Sequence, residues 1–195
     1  YPAVDIDGVG ARVHNNRISD GPHMGIQLRG NDHVIEYNEI SEIGLVFKDI
    51  GAVYTNLGKH PGERGTLIRR NFIHHRGQDN DKLFGVYLDN GTMGVTVEEN
   101  IFYAIGSSEY QNCAAVMSNH GQHIVVRNNM MVDTARSFRL SFYLNCDGDQ
   151  AGWGCADQGS FETAWESYFD AIPSDHSQAY PELASWSEED HWEPT

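Results

Sequence analysis

No lysine or arginine occurs between residues 140 and 195, a stretch that holds 12 of the 28 acidic residues. All 13 basic residues lie before it, beside the other 16 acids, so the formal charge of -15 belongs to the C-terminal third. A surface of that sign repels phosphate backbones and anionic lipid, which argues against nucleic acid and membranes as partners. Long apolar runs are missing too, since none approaches the about 18 residues of a membrane span. The opening stretch YPAVDIDGVG has neither the basic nor the apolar region of a secretory signal.

Cysteine is scarce, and the odd set Cys113, Cys146 and Cys155 cannot pair completely within one chain. Cys146 and Cys155 flank CDGDQAGWGC and could close a small loop in an oxidising compartment. Cys113, in NCAAVM, is expected to behave as a small buried hydrophobe. Metal chemistry has little support. His120 and His123 in HGQH lack a third ligand, and Asp147, Asp149 and Asp157 read as a solvated acidic loop before they read as a calcium site. No cofactor is expected.

Helical periodicity is also nearly absent before residue 145, and what stands in its place is a repeat. VHNNRI, IEYNEI, IRRNFI, VEENIF and VRNNMM share the pattern apolar-x-x-Asn-x-apolar, with Asn16, Asn38, Asn71, Asn100 and Asn129 in common. Spacings of 22, 33, 29 and 29 residues mean stacked units. A second recurring strand lies between them: GIQLRG from Gly25, GAVYTN from Gly51, GVYLDN from Gly85 and AAVMSN from Ala114. Short strands joined by turns stack into a parallel β-solenoid, with equivalent residues of neighbouring turns about 4.8 Å apart. The asparagines are expected to be structural, their amides bonding along the stack.

Alternation predicts an inward set of Ile26, Leu28, Ala52, Tyr54, Val86, Leu88, Ala115 and Met117. Arg29, Thr55, Asp89 and Ser118 are then expected in one outward column, and His23, Asp49, Leu83 and Asn112 in another. Tyr87 is expected outward, as a stacking face for a sugar ring. His74 and His75 are expected on opposite faces of their strand. Residues 160–172 place Phe161, Ala164, Trp165, Tyr168, Phe169 and Ile172 at helical spacing before Pro173, which predicts an amphipathic capping helix followed by an extended tail. The expected organisation is a right-handed parallel β-helix of about five coils over 1–145, with loop, helix and acidic tail over 146–195.

GVGARVHNNRISDGPHMGIQLRGNDHVIEYNEISEI, followed by DIGAVYT and GVYLDNGTMGVTVEENIF, resembles the parallel β-helix domain of secreted bacterial carbohydrate-active proteins. Within these pectate-lyase-like folds it is most similar to glycoside hydrolase family 141, and the chain looks like the C-terminal part of a longer member. The resemblance implies a secreted or periplasmic enzyme acting on a poly- or oligosaccharide. It implies Asp49, through DxGAxYT, and Asp89, through YLDxGT, as the two carboxylates that flank a glycosidic bond. Tyr87, Arg29, His23, His75, His120 and Lys48 are the expected substrate-binding residues. Two alternatives stay open. A polysaccharide lyase would draw its base and its cation from Lys48, Lys82, Arg29, Arg76, His74, His75 and His120. A non-catalytic carbohydrate-binding module would need neither.

Overall fold

A computed structural model of the chain describes residues 1–56, 63–76, 82–106, 112–141 and 178–181. Two compact units are present, residues 1–58 with 63–144 and residues 59–62 with 145–195. The capping helix expected over 160–172, the Cys146–Cys155 loop, the three aspartates weighed for calcium, and all of the tail except residues 178–181 lie outside the described residues.

The first unit is built almost wholly from short strands. Sheet 1 carries β1 (Val4–Ile6), β4 (Ile26–Leu28), β7 (Ile50–Asn56), β10 (Leu83–Asp89), β13 (Ala114–Asn119) and β16 (Phe138–Ser141). Sheet 2 carries β2 (Arg12–His14), β5 (Val34–Glu36), β8 (Leu67–Arg69), β11 (Thr96–Glu98) and β14 (Val125–Arg127). Sheet 3 carries β3 (Arg17–Ile18), β6 (Glu39–Ser41), β9 (Phe72–Arg76), β12 (Ile101–Ile105) and β15 (Met130–Val132). Successive strands visit the three sheets in rotation and every strand pairing is parallel. This is a parallel β-solenoid.

One inward residue per short strand builds the core. Val13, Ile35, Ile68, Val97 and Val126 stack in sheet 2, and Ile18, Ile40, Ile73, Phe102 and Met131 in sheet 3. Each fully buried side chain of this size contributes about 1.5–3 kcal/mol, so a three-residue strand is stable only because its neighbours continue the column.

The asparagine ladder forms at the corner between sheets 2 and 3. Each amide of Asn16, Asn38, Asn71 and Asn100 donates to Oδ1 of the next asparagine at 3.0 Å. The backbone N–H of each of these four donates to the same oxygen at 2.9–3.1 Å. The residue before each ladder asparagine, Asn15, Tyr37, Arg70, Glu99 or Asn128, takes positive φ, a conformation unfavourable to L-residues by about 1–2 kcal/mol. Hydrogen bonds made by the asparagines offset that strain.

Sheet 1 departs from the expected register. Ile26 pairs with Val53, and Val53 with Val86, while Val86 pairs with Val116. GIQLRG and GVYLDN therefore align at their first residues as expected, whereas GAVYTN and AAVMSN are each displaced by one. The cause is a tight spot behind sheet 1. A Cβ on Gly85 would stand 2.5 Å from the carbonyl oxygen of Ala115 and 2.7 Å from the Phe102 ring. Only small residues fit that row, and Ala52 and Ala115 fill it. Ala52 with Val53, and Ala115 with Val116, then join the core as consecutive pairs, which breaks strict alternation.

Four expectations change with this register. Tyr54 and Met117 face outward beside Tyr87, in a cluster with Phe84, Ala114 and Met24. Thr55 and Ser118 face inward opposite Leu88, so Asp89 has Asn56 and not Thr55 beside it. Leu83 pairs with Ile50, while Asp49 lies beside Lys82, to whose carbonyl its N–H donates at 2.9 Å. Tyr87 does face outward, but at 5% exposure it offers no open stacking face.

Candidate functional site: two carboxylates and two tyrosines

Asp89 ends β10, where Asn90 with φ 45 turns the chain and Thr92 donates its N–H and hydroxyl to the Asp89 carbonyl. The strand end delivers the carboxylate to the outer face of sheet 1, where it is only 8% exposed. Its Oδ1 accepts from the Asn90 N–H at 2.9 Å and from the Asn119 amide at 2.7 Å. Its Oδ2 accepts from the Tyr54 hydroxyl at 2.8 Å. The Asn56 amide in turn donates to the Tyr54 oxygen at 3.1 Å. Three donors thus converge on one carboxylate.

Asp49 reaches the same place from the previous strand of the sheet. Its φ of 60 bends the chain just before β7, so the carboxylate leaves the line of the strand. Tyr87 leans toward it, with its hydroxyl donating to Asp49 Oδ1 at 3.5 Å. Lys82 Nζ stands 3.9 Å from Oδ2, and the Asp49 side chain is 56% exposed. A straight strand would separate Asp49 from Asp89 by about 20 Å, at about 3.3 Å per residue. The positive-φ bend and the Tyr87 side chain bring them to one cluster.

The phenols register both charges. Tyr54 and Tyr87 lie edge to face, ring centroids 5.3 Å apart, and Phe84 packs on Tyr87 at 4.6 Å. Burial, and after it the nearby charge of Asp89 with a further contribution from Asp49, raises both hydroxyls above the ordinary tyrosine value. Both tyrosines are neutral donors at any physiological pH. His120, in the turn after β13, is half-buried near Asp89. Burial takes its ring down to about 4 and Asp89 pulls the other way, so it is neutral at pH 7.

The structure thus brings together Asp49, Asp89, Tyr87 and His120, with Lys48 exposed on the segment beside Asp49. It leaves three expected residues elsewhere. Arg29 is engaged by Asp5 at 3.1 Å and Asp7 at 3.7 Å. His23 packs edge-on against Phe47 at 5.0 Å, its ring lowered by burial and then by the amino terminus. His75 is at a corner of sheet 3, edge-on to Tyr103 at 5.2 Å. His74 and His75 are not on opposite faces, since their Nδ1 atoms meet at 2.6 Å; a φ of 52 at His75 interrupts the alternation.

Tyr54, Asn56 and Asn119 do not stand out in the sequence. The available signal is the tyrosine shared by GAVYTN and GVYLDN, because aligning Tyr54 with Tyr87 gives the observed register. Comparison of the chain with protein-family models, with curated proteins and with solved structures found no match.

Proposed function

We propose that the protein is a carbohydrate-active enzyme, a glycoside hydrolase acting on a poly- or oligosaccharide outside the cytoplasm. The observation that carries this reading is that Asp89 and Asp49 meet a pair of packed tyrosines, Asp89 accepting from the Tyr54 hydroxyl and Asp49 from the Tyr87 hydroxyl. Hydrolysis of a glycosidic bond needs a carboxyl group to protonate the leaving oxygen and a carboxylate to attack or to activate water. Asp89, fixed by three hydrogen-bond donors, suits nucleophile or water activator. Asp49, more than half exposed at the edge of the cluster, is left the acid/base role. Tyr54 and Tyr87 offer hydroxyl protons to developing charge.

The supporting scaffold is read as five turns of a right-handed helix. The asparagine repeat supports the count, and the usual hand of a parallel crossover supports the winding.

A second reading is favoured by one observation. His120 is neutral at pH 7 and close to Asp89, so it could take the proton next to a uronate carboxylate, as a polysaccharide lyase requires. A binding module without catalysis would use the same face with no turnover. Products separate these readings. Incubation with neutral and uronate-containing polysaccharides is expected to release saturated reducing ends. Unsaturated products absorbing in the ultraviolet would replace the hydrolase with the lyase, and binding without product would leave the module.

A further inference from the structure

The row of small residues behind sheet 1 has a consequence on the outer face. GAVYTN and AAVMSN are displaced by one residue against GVYLDN, and the displacement moves their closing asparagines one place along the sheet. Asn56 therefore pairs with Asp89. Asn119, the residue after the pair of Ser118 with Leu88, stands on the other side. Without the displacement, Thr55 and Ser118 would hold those places. Asp89 is thus an aspartate between two asparagines, on strands about 4.8 Å apart.

The two amides act on different atoms. Asn119 donates to Asp89 Oδ1 at 2.7 Å, and the Asn90 N–H donates to the same oxygen at 2.9 Å. Each carboxylate oxygen has two lone-pair sites, so Oδ1 is fully engaged. Oδ2 accepts from the Tyr54 hydroxyl at 2.8 Å, and among the described residues it forms no second hydrogen bond. One lone pair of Oδ2 stays open.

Tyr54 is itself directed. Two residues apart on one strand, Tyr54 and Asn56 share the outer face, and the Asn56 amide donates to the Tyr54 oxygen at 3.1 Å. A hydroxyl has a single proton to give. With an amide on its accepting side, the Tyr54 hydroxyl gives that proton to Oδ2. The ring is 8% exposed and packed edge to face on Tyr87 at 5.3 Å, so neither water nor ring tilt redirects it.

We propose, on the hydrolase reading above, that Asn119 and Asn56 are positioning residues for Asp89. Asn119 pins Oδ1, Asn56 aims the Tyr54 proton, and Oδ2 is the oxygen that reacts. As nucleophile, Oδ2 bonds to the anomeric carbon while the glycosidic bond breaks and the leaving oxygen takes a proton from Asp49. As base, Oδ2 instead takes a proton from the water whose oxygen makes that bond. A carboxylate that must first turn into place loses rate and leaves substrate binding intact.

The test is a double-mutant cycle, read as reducing ends released from neutral and uronate-containing polysaccharides, with folding of every variant checked by unfolding curves. Asn56→Ala is expected to lower kcat by about 10-fold, within the roughly 100-fold that a misplaced group costs, and to leave KM within about twofold. In a Tyr54→Phe background the same substitution is expected to change nothing further, because the amide acts through the hydroxyl. Asn119→Ala is expected to lower kcat by a similar factor; if it does not fold, Asn119→Asp, of the same size and without the donor, takes its place. No loss from Asn56→Ala, an equal loss with and without the Tyr54 hydroxyl, a loss confined to KM, or wild-type kcat in the folded Asn119 variant overturns the positioning roles while Asp89→Asn remains slow. Full activity in folded Asp89→Asn, or no reducing ends from the wild type, overturns the hydrolase reading and the positioning roles with it.

Discussion

Asp89 shows how one residue can be both a turn and a site. The turn chemistry of Asp89-Asn90-Gly91 is present, since Asn90 takes positive φ and its N–H caps the carboxylate. The same turn fixes the carboxylate where Tyr54 and Asn119 reach it. His120 gives this neighbourhood a pH dependence whose sign can be worked out. Its folded pKa, about 4, lies below the ordinary histidine value of 6.5, so the folded state resists protonation. The stability it contributes is complete above about 6.5 and is lost as pH falls through about 4. Unfolding midpoints measured across that window should decline in the wild type, and His120→Gln should flatten the decline.

At the scale of the element, the asparagine ladder was legible because one residue type at fixed spacing is visible without knowing where any side chain points. Replacing Asn71 by Ala removes its amide bonds to Ile35 O and Asn100 and strands the Asn38 donors that meet its oxygen. Buried groups left unsatisfied cost about 1–3 kcal/mol each, so denaturant unfolding should show a loss of about 2–4 kcal/mol. Sheet 1 was less legible. Period two fails where Ala52 and Val53 both turn inward, and the reason, a carbonyl and an aromatic ring behind Gly85, involves residues 17 and 30 positions away in sequence. Gly85→Ala should therefore lose about 1–3 kcal/mol by overpacking, measured by the same unfolding curve, although glycine to alanine usually favours a strand.

For the whole molecule, stacking turns converts distance in sequence into proximity. Asp49 and Asp89 are far apart along the chain, yet belong to neighbouring strands β7 and β10 of sheet 1. The parallel solenoid followed from the repeat, and so did Ile26, Leu28, Ala52, Val86, Leu88 and Ala115 of the expected inward set, whereas Tyr54 and Met117 turn the other way. The site followed only in part, because the bend at Asp49 and the outward turn of Tyr54 depend on positive φ and on packing that local patterns do not encode. If this pair, brought together by the solenoid, cleaves a glycosidic bond, removing one carboxylate must stop the cleavage without unfolding the chain. The rate at which reducing ends are released from a polysaccharide, compared between the wild type and Asp89→Asn with folding of both checked by unfolding curves, measures this. The folded variant is expected to be slower by at least about 100-fold, the scale of a lost catalytic carboxylate. Full activity in folded Asp89→Asn would leave the carboxylate pair without a part in catalysis.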